Sequence, residues 1–236
     1  MAPPSAFAYF LDVDGTLLEI RPRPQEVLAD AALRGLVKDV AAAAGEALAL
    51  VSGRKIDDID RIFEPVILPA AGLHGAEIRF QDGGRIYADA GVMEAARPRL
   101  RDFASRRPGL MLEDKGATIA LHFRQQPDLE NDVLALLQSV AQSLDLVVQP
   151  GKMVAELKPA GHSKATAIEV LLASPPFIGR TPVFIGDDLT DESGFDFVNE
   201  LGGVSVRVGL AQARTGASFF VNDPAQLREQ LAAVIK

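Results

Sequence analysis

Cysteine is absent from the 236 residues, which excludes disulfides, zinc–thiolate centres and thiol nucleophiles. A reducing compartment fits that absence, and the cytoplasm is the expected location. Histidine is scarce. His74, His122 and His162 are far apart, so no imidazole metal box can be read from them. No apolar run is long enough to cross a bilayer. The opening residues Met1-Ala2-Pro3-Pro4-Ser5 lack the basic stretch of a secretion signal. An excess of basic residues is missing too: 24 Lys and Arg stand against 32 Asp and Glu, for a net charge of −8. A general nucleic-acid binder needs a basic face to neutralise phosphates, so that class is excluded. A small anion is still admissible, because one local cationic pocket can override a diffuse negative field. There is no internal repeat, low-complexity tract or long linker.

What is present is enough apolar sequence, 48% of the chain, for a buried core. Ala6 to Val13 is nearly continuous apolar sequence, as in a strand buried on both faces. Residues 25–44 carry helical spacing that ends at Gly45. Ala47–Val51 and Val66–Ala70 read as further strands, with a short helix marked by Ile56, Ile59 and Phe63 between them. This alternation predicts an α/β fold with a Rossmann-like parallel sheet. The middle changes character. A hairpin around Asp82-Gly83-Gly84, helices near 92–106 and 128–143, and strands at 118–124 and 146–149 suit an inserted smaller α+β domain. The expected boundaries are a core formed by residues 1–78 and 158–236, and an insert over 79–157. After Pro159 the alternating pattern returns: a helix capped by Ser163, a strand at 183–185, a helix at 191–199, strands at 205–208 and 219–221, and a last helix.

Chemistry concentrates at the strand ends. Asp12-Val13-Asp14-Gly15-Thr16 closes the first strand. Side chains two apart on an extended chain face the same way, so Asp12 and Asp14 can address one small volume. Gly186-Asp187-Asp188-Leu189-Thr190-Asp191-Glu192 closes a later strand, where a helical turn would bring Asp187 and Asp191 to one side. Ligands of parallel sheets bind beyond such carboxyl ends. Two like charges at ~4 Å and an effective dielectric of ~20 repel by about 4 kcal/mol, so protonation or a cation must relieve the cluster. Oxygen-only ligands favour Mg²⁺ over zinc or copper. The opposite polarity comes from Ser52-Gly53-Arg54, with its hydroxyl and backbone amides, and from Lys164 in the first turn of the Ser163-capped helix. A donor cluster facing a carboxylate–metal cluster is what phosphoryl transfer requires.

Each feature alone has an ordinary reading. Asp-Gly is a common turn, acids at a helix start act as caps, and a single lysine is usually solvated. A calcium loop fails, because counting from Asp12 puts Leu17 and Arg23 where Gly and Glu are required. His74 suits a turn and a site edge equally. The catalytic reading rests on four features falling at strand ends or a helix start of one α/β chain.

That ordered set resembles the haloacid dehalogenase superfamily of phosphotransferases over nearly the whole chain. The resemblance implies a mobile cap between the second and third motifs. It implies Asp12 as nucleophile, forming an aspartyl-phosphate, and Asp14 as acid/base partner. Mg²⁺ would be held by Asp12, the Asp14 backbone carbonyl and Asp187, with Asp188 and Asp191 supporting. Ser52, Gly53 and Lys164 would hold the phosphoryl group. Finer stretches are similar to the trehalose-6-phosphate phosphatases: Gly72-Leu73-His74-Gly75-Ala76-Glu77, Glu113-Asp114-Lys115, Ala120-Leu121-His122-Phe123-Arg124, and the run from Gly151 to Pro159. They imply substrate contacts from Arg54, His74, Glu113, Lys115, His122, Arg124, Lys152 and Glu156. Val13, Phe123 and Lys158 depart from the usual residues of that family, but none removes a reacting group. The expectation is an enzyme that binds a small-molecule sugar phosphate, touches neither nucleic acid nor membrane, and acts as a monomer. Phosphatases of sucrose phosphate or glycosyl phosphoglycerate, and a non-catalytic sugar-phosphate sensor, are the alternatives.

Overall fold

The computed structural model describes residues 2–21, 27–151, 153–209 and 214–235. The first half runs β1 (Phe7–Leu11), α1 (Ala31–Ala43), β2 (Leu48–Val51), α2 (Ile56–Phe63), β3 (Ala70–Gly72), β4 (Glu77–Arg79), β5 (Arg85–Tyr87), α3 (Gly91–Ser105), β6 (Met111–Asp114) and β7 (Ile119–His122). It continues with α4 (Glu130–Ala141), β8 (Leu146–Gly151), β9 (Val154–Pro159), α5 (Lys164–Leu172), β10 (Thr181–Gly186), α6 (Glu192–Glu200), β11 (Val204–Val208), β12 (Phe219–Val221) and α7 (Pro224–Val234). The chain divides into two compact units, one of residues 1–86 with 163–236 and the other of residues 87–162.

The larger unit is built on an eight-stranded sheet in the order β12-β11-β10-β1-β2-β3-β4-β5. From β12 to β3 every pairing is parallel, and β4 returns antiparallel to β3. The continuous apolar runs follow from burial on both faces. On β1, Tyr9 and Leu11 join Leu48, Leu50, Val183 and Ile185 in a core covered by α1, α2 and α7. Ala8 and Phe10, pointing the other way, join Ala49, Val51 and Phe184 beneath α5 and α6. The chain leaves β1 towards β2 and β3 on one side, and leaves β10 towards β11 and β12 on the other. The gap between the carboxyl ends of β1 and β10 is therefore a topological switch point, where open α/β sheets hold ligands.

Two sequence expectations are corrected here. The third strand is Ala70–Gly72 and not 66–70. Prolines at 65 and 69 lack the N–H that a ladder needs, so pairing starts only after the second. The hairpin at Asp82-Gly83-Gly84 lies at the edge of the large sheet, as β4–β5, and does not open the smaller domain. Its tight turn, in which Asp82 accepts from the Gly84 amide, returns the chain beside β4. The first helix starts at Ala31, with Asp30 accepting from the Leu33 amide as its cap. The helix expected from residue 25 is therefore shorter: residues 27–30 are not helical, and residue 25 itself lies outside the described residues.

The smaller unit carries a four-stranded antiparallel sheet, β6-β7-β9-β8. Ile119 and Leu121 of β7 and Ala155 and Leu157 of β9 pack with Met93, Ala96 and Leu100 of α3 and with Val133, Leu137 and Val140 of α4. Alternation places Ala120 and Glu156 on the opposite face.

Candidate active site

Asp12 stands one residue past β1, its backbone N–H donating to the Ile185 carbonyl of β10 at 2.9 Å. The carboxylate is 4% exposed and Lys164 is 3% exposed, so neither charge is relieved by water. Each therefore needs a partner. Lys164 Nζ donates to Asp12 Oδ1 at 2.8 Å and to Asp191 Oδ1 at 2.5 Å. The other Asp191 oxygen accepts from the Asp187 and Asp188 amides, at 3.0 Å each. Asp191 is thus a brace, tying the ammonium to the β10 strand end. The Ser163 side chain accepts from the Thr166 amide in a capping box, which fixes the first turn of α5 and so the root of Lys164.

Thr16 bridges the two acidic motifs. Its hydroxyl lies 3.1 Å from Asp12 Oδ2 and 3.2 Å from Asp187 Oδ1. Gly15, at φ 79°, makes this approach possible: a Cβ there would sit 2.1 Å from Asp187 Oδ2. The motif alone does not single out Thr16. Its signal was the spacing of four from Asp12 inside the same motif.

Carboxylate oxygens of Asp12, Asp187 and Asp191 lie within 4.8 Å of one another. Burial pushes Asp12 well above the ordinary carboxylate range. Lys164 opposes this, while Asp191 and Asp187 add to it. Burial, with Asp191 and Asp188 nearby, pushes Asp187 up to about 7. Burial likewise raises Asp191, against the pull of Lys164. Burial alone would lower Lys164, but the carboxylates of Asp12 and Asp191 outweigh it and keep the ammonium charged. Three carboxylates against one ammonium leave negative charge in excess. All-oxygen donors with surplus charge fit a hard divalent cation. Asp191 already accepts three hydrogen bonds, so Asp12 and Asp187 are the residues that fit it best.

Asp14 points elsewhere. Arg54 donates to both its oxygens, Nε to Oδ2 and Nη2 to Oδ1, each at 2.6 Å. This fork holds the second aspartate apart from the three-carboxylate cluster. Ser52, 2% exposed, accepts from the Arg54 amide through its hydroxyl at 3.2 Å. A cleft of about 170 Å³ is lined by Asp12, Asp14, Ser52, Gly53, Arg54, His74, Lys164, Asp188 and Thr190. A wider cleft of about 360 Å³ lies against Gly15 and Asp187 and is bounded by Arg207, Gly209 and Asp223. Only the smaller cleft joins the buried lysine and both N-terminal aspartates, so it is the one equipped for chemistry. His74 lines it from a backbone with two successive positive φ values, 50° at Leu73 and 54° at His74. Such values are uncommon outside glycine and persist where the surroundings impose them. Asp188 is exposed and accepts from the Thr190 amide at 2.7 Å. It therefore caps its own turn and stands outside the acidic cluster.

The remaining sequence candidates belong to the smaller unit. Glu156 accepts from Lys115 Nζ at 3.1 Å and from the Thr118 hydroxyl. His122 Nε2 lies 2.8 Å from Glu113 Oε2. Arg124 is exposed just beyond β7, and Lys152 lies outside the described residues. Thr118 is fully buried and was not among the candidates.

The trehalose-phosphatase family model matches residues 10–225, a span containing every residue of this cleft. The chain belongs to the trehalose-phosphatase family. A trehalose-6-phosphate phosphatase of Escherichia coli strain K12 is 44% identical over 207 residues, covering 86% of this chain and 77% of that protein. A solved trehalose-6-phosphate phosphatase related protein superposes with a TM-score of 0.80 at 28% identity, covering 97% of this chain and 96% of its own. The fold extends to a phosphatase of the HAD enzyme superfamily from Bacteroides thetaiotaomicron, with a TM-score of 0.66 at 20% identity and coverage of 96% and 94%. Among the described residues, no helix is long and apolar enough to cross a membrane.

Proposed function

We propose that this chain is a magnesium-dependent phosphatase that hydrolyses trehalose 6-phosphate to trehalose and phosphate in the cytoplasm. The observation carrying the reading is the buried Lys164 ammonium bridging Asp12 and Asp191 at the switch point, beside Asp187. Asp12 is the nucleophile. Its oxygen bonds to phosphorus as the bond to the sugar oxygen breaks, giving an aspartyl-phosphate. Asp14, once protonated, delivers its proton to the departing sugar oxygen. In the second half Asp14 takes a proton from water, whose oxygen attacks phosphorus and frees Asp12. Lys164 and Ser52 hold the phosphoryl oxygens, with the Gly53 amide, and Arg54 sets the direction of Asp14. Asp12 and Asp187 would hold Mg²⁺, with the Asp14 carbonyl, and the ion would offset the phosphoryl charge.

The unit of residues 87–162 serves in this reading as the sugar-specificity cap. Glu113, Lys115, His122, Arg124, Lys152 and Glu156 would meet the glucose hydroxyls, and His74 the substrate from the core. A disaccharide has many hydroxyls and no charge beyond its phosphate, so charged side chains suit it through charge-assisted hydrogen bonds. The test is phosphate release from a panel containing trehalose 6-phosphate, sucrose 6-phosphate, glucose 6-phosphate and a glycosyl phosphoglycerate. A marked preference in kcat/KM for trehalose 6-phosphate is expected. Equal turnover across the panel would contradict it.

A further inference from the structure

Among the described residues, the smaller unit holds a buried polar cluster centred on Glu156, which is 6% exposed on the sheet face opposite the helices. Lys115 Nζ approaches one carboxylate oxygen and the Thr118 hydroxyl donates to the other. Thr118 is 0% exposed, and its neighbour Ile119 is committed to the helix-covered core. Its backbone works as well. The Thr118 carbonyl accepts from the Lys115 amide at 2.9 Å and closes the turn Lys115-Gly116-Ala117-Thr118. The far side of that turn is held by Arg97, whose Nη2 donates to the Gly116 carbonyl at 2.8 Å and whose Nε donates to Asp114 at 2.9 Å. Asp114 in turn accepts from the Gly116 amide at 3.1 Å. One threonine thus fixes the carboxylate of the cluster through its hydroxyl and the ammonium of the cluster through the turn.

We propose that Thr118 is a positioning residue for leaving-group selection: it locks the Glu156 carboxylate, and with it Lys115, in the geometry that accepts and donates to sugar hydroxyls. This rests on the smaller unit's proposed role in recognising the sugar. A buried carboxylate that loses one hydrogen-bond donor draws harder on its others, among them Lys115 Nζ at 3.1 Å. Without the hydroxyl the pair collapses onto itself and its polar atoms turn away from a diol. Thr118 touches no reacting atom, so its effect falls on discrimination between leaving groups.

The test compares wild type, Thr118→Val and Thr118→Ser with trehalose 6-phosphate and with p-nitrophenyl phosphate, which has no sugar hydroxyl. The ratio of the two kcat/KM values should fall about tenfold in Thr118→Val, the share expected of one hydrogen bond to a charged group. The loss should appear mainly in KM for the sugar phosphate. Thr118→Ser, which keeps the hydroxyl, should restore most of the ratio. In a Glu156→Gln background the valine substitution should lower the ratio little further, because the carboxylate it serves is gone. A ratio equal to wild type in Thr118→Val, an equal loss with both substrates, or no rescue by serine would overturn the proposal. A wild type with no preference for the sugar phosphate would instead overturn the sugar assignment on which it stands.

Discussion

At the scale of single residues, the two N-terminal aspartates have unequal surroundings. Asp12 is buried among Lys164, Thr16 and the β10 motif, while Asp14 is 34% exposed and forked by Arg54. That separation suits the unequal roles proposed for them, a nucleophile held against Lys164 and a partner open to water. The acidic cluster also sets a pH dependence. The unfolded pKa of an aspartate is about 3.9, and burial raises Asp187 to about 7 in the folded chain. Between these values the folded state binds more protons than the unfolded state, so stability falls as pH rises. In EDTA, the melting temperature should therefore decline between about pH 4 and pH 7 from this cause. Asp187→Asn should flatten the decline, and added Mg²⁺ should raise the melting temperature more at pH 7.5 than at pH 5. Scanning calorimetry across that range reads it; a decline of the same slope in Asp187→Asn would place its origin elsewhere. The reacting residues were legible because their types and strand-end spacing are unusual. Thr16 and Thr118 were not, because a threonine in a motif or at a strand start has many ordinary uses. Which acceptor its hydroxyl reaches is decided by the tertiary fold.

At the scale of elements, the site is held by helix starts as much as by strand ends. Ser163 and Thr166 cap α5 reciprocally, and Lys164 is the next residue. Ser163→Ala should lower stability by about 1 kcal/mol, the usual cost of an N-cap. Urea unfolding measures that loss. The same substitution should raise KM by loosening the turn that carries Lys164. An unchanged urea midpoint would show that Ala167 and Ile168, buried in the α5 core, fix the turn unaided. Helices α3 to α6 were readable from their apolar spacing to within two residues or so of their ends. The edges of the sheet were less so. Prolines 65 and 69 interrupt an apolar stretch that otherwise reads as a strand, and hydropathy records their side chains while the ladder responds to their missing N–H groups. The β4–β5 hairpin shows the same limit: its turn was evident, but nothing local says which sheet it joins. Strands β6 and β9 are hard to read because β6 has only four residues, two of them acidic, and β9 mixes Glu156 and Lys158 with its apolar residues.

At the scale of the whole molecule, the proposed function divides its labour between two units. One parallel sheet brings residues 12, 52, 164 and 187 to a single rim, although they are spread over 176 positions of sequence. Every group proposed for the phosphoryl chemistry lies in the larger unit, while a separate antiparallel sheet carries the polar face proposed for the sugar. This division was legible as an α/β pattern interrupted by α+β sequence, since a change of period survives small errors in each element. The surplus of negative charge at the rim is the basis of the proposed cation dependence. Exhaustive chelation should abolish phosphate release and Mg²⁺ should restore it, whereas undiminished turnover after chelation would remove the metal from the account.

In the proposed mechanism Asp12 carries the phosphoryl group. p-Nitrophenyl phosphate has a leaving group that needs no proton, so Asp14→Asn should still form the intermediate with it but hydrolyse it slowly. Acid quenching of that variant after mixing, followed by peptide mass spectrometry, locates the transferred group. A phosphoryl increment is expected on the Asp12 side chain, stoichiometric with the burst of p-nitrophenolate and abolished in the Asp12→Asn, Asp14→Asn double variant. A burst with the increment on another residue, or an increment that survives the double substitution, would contradict it.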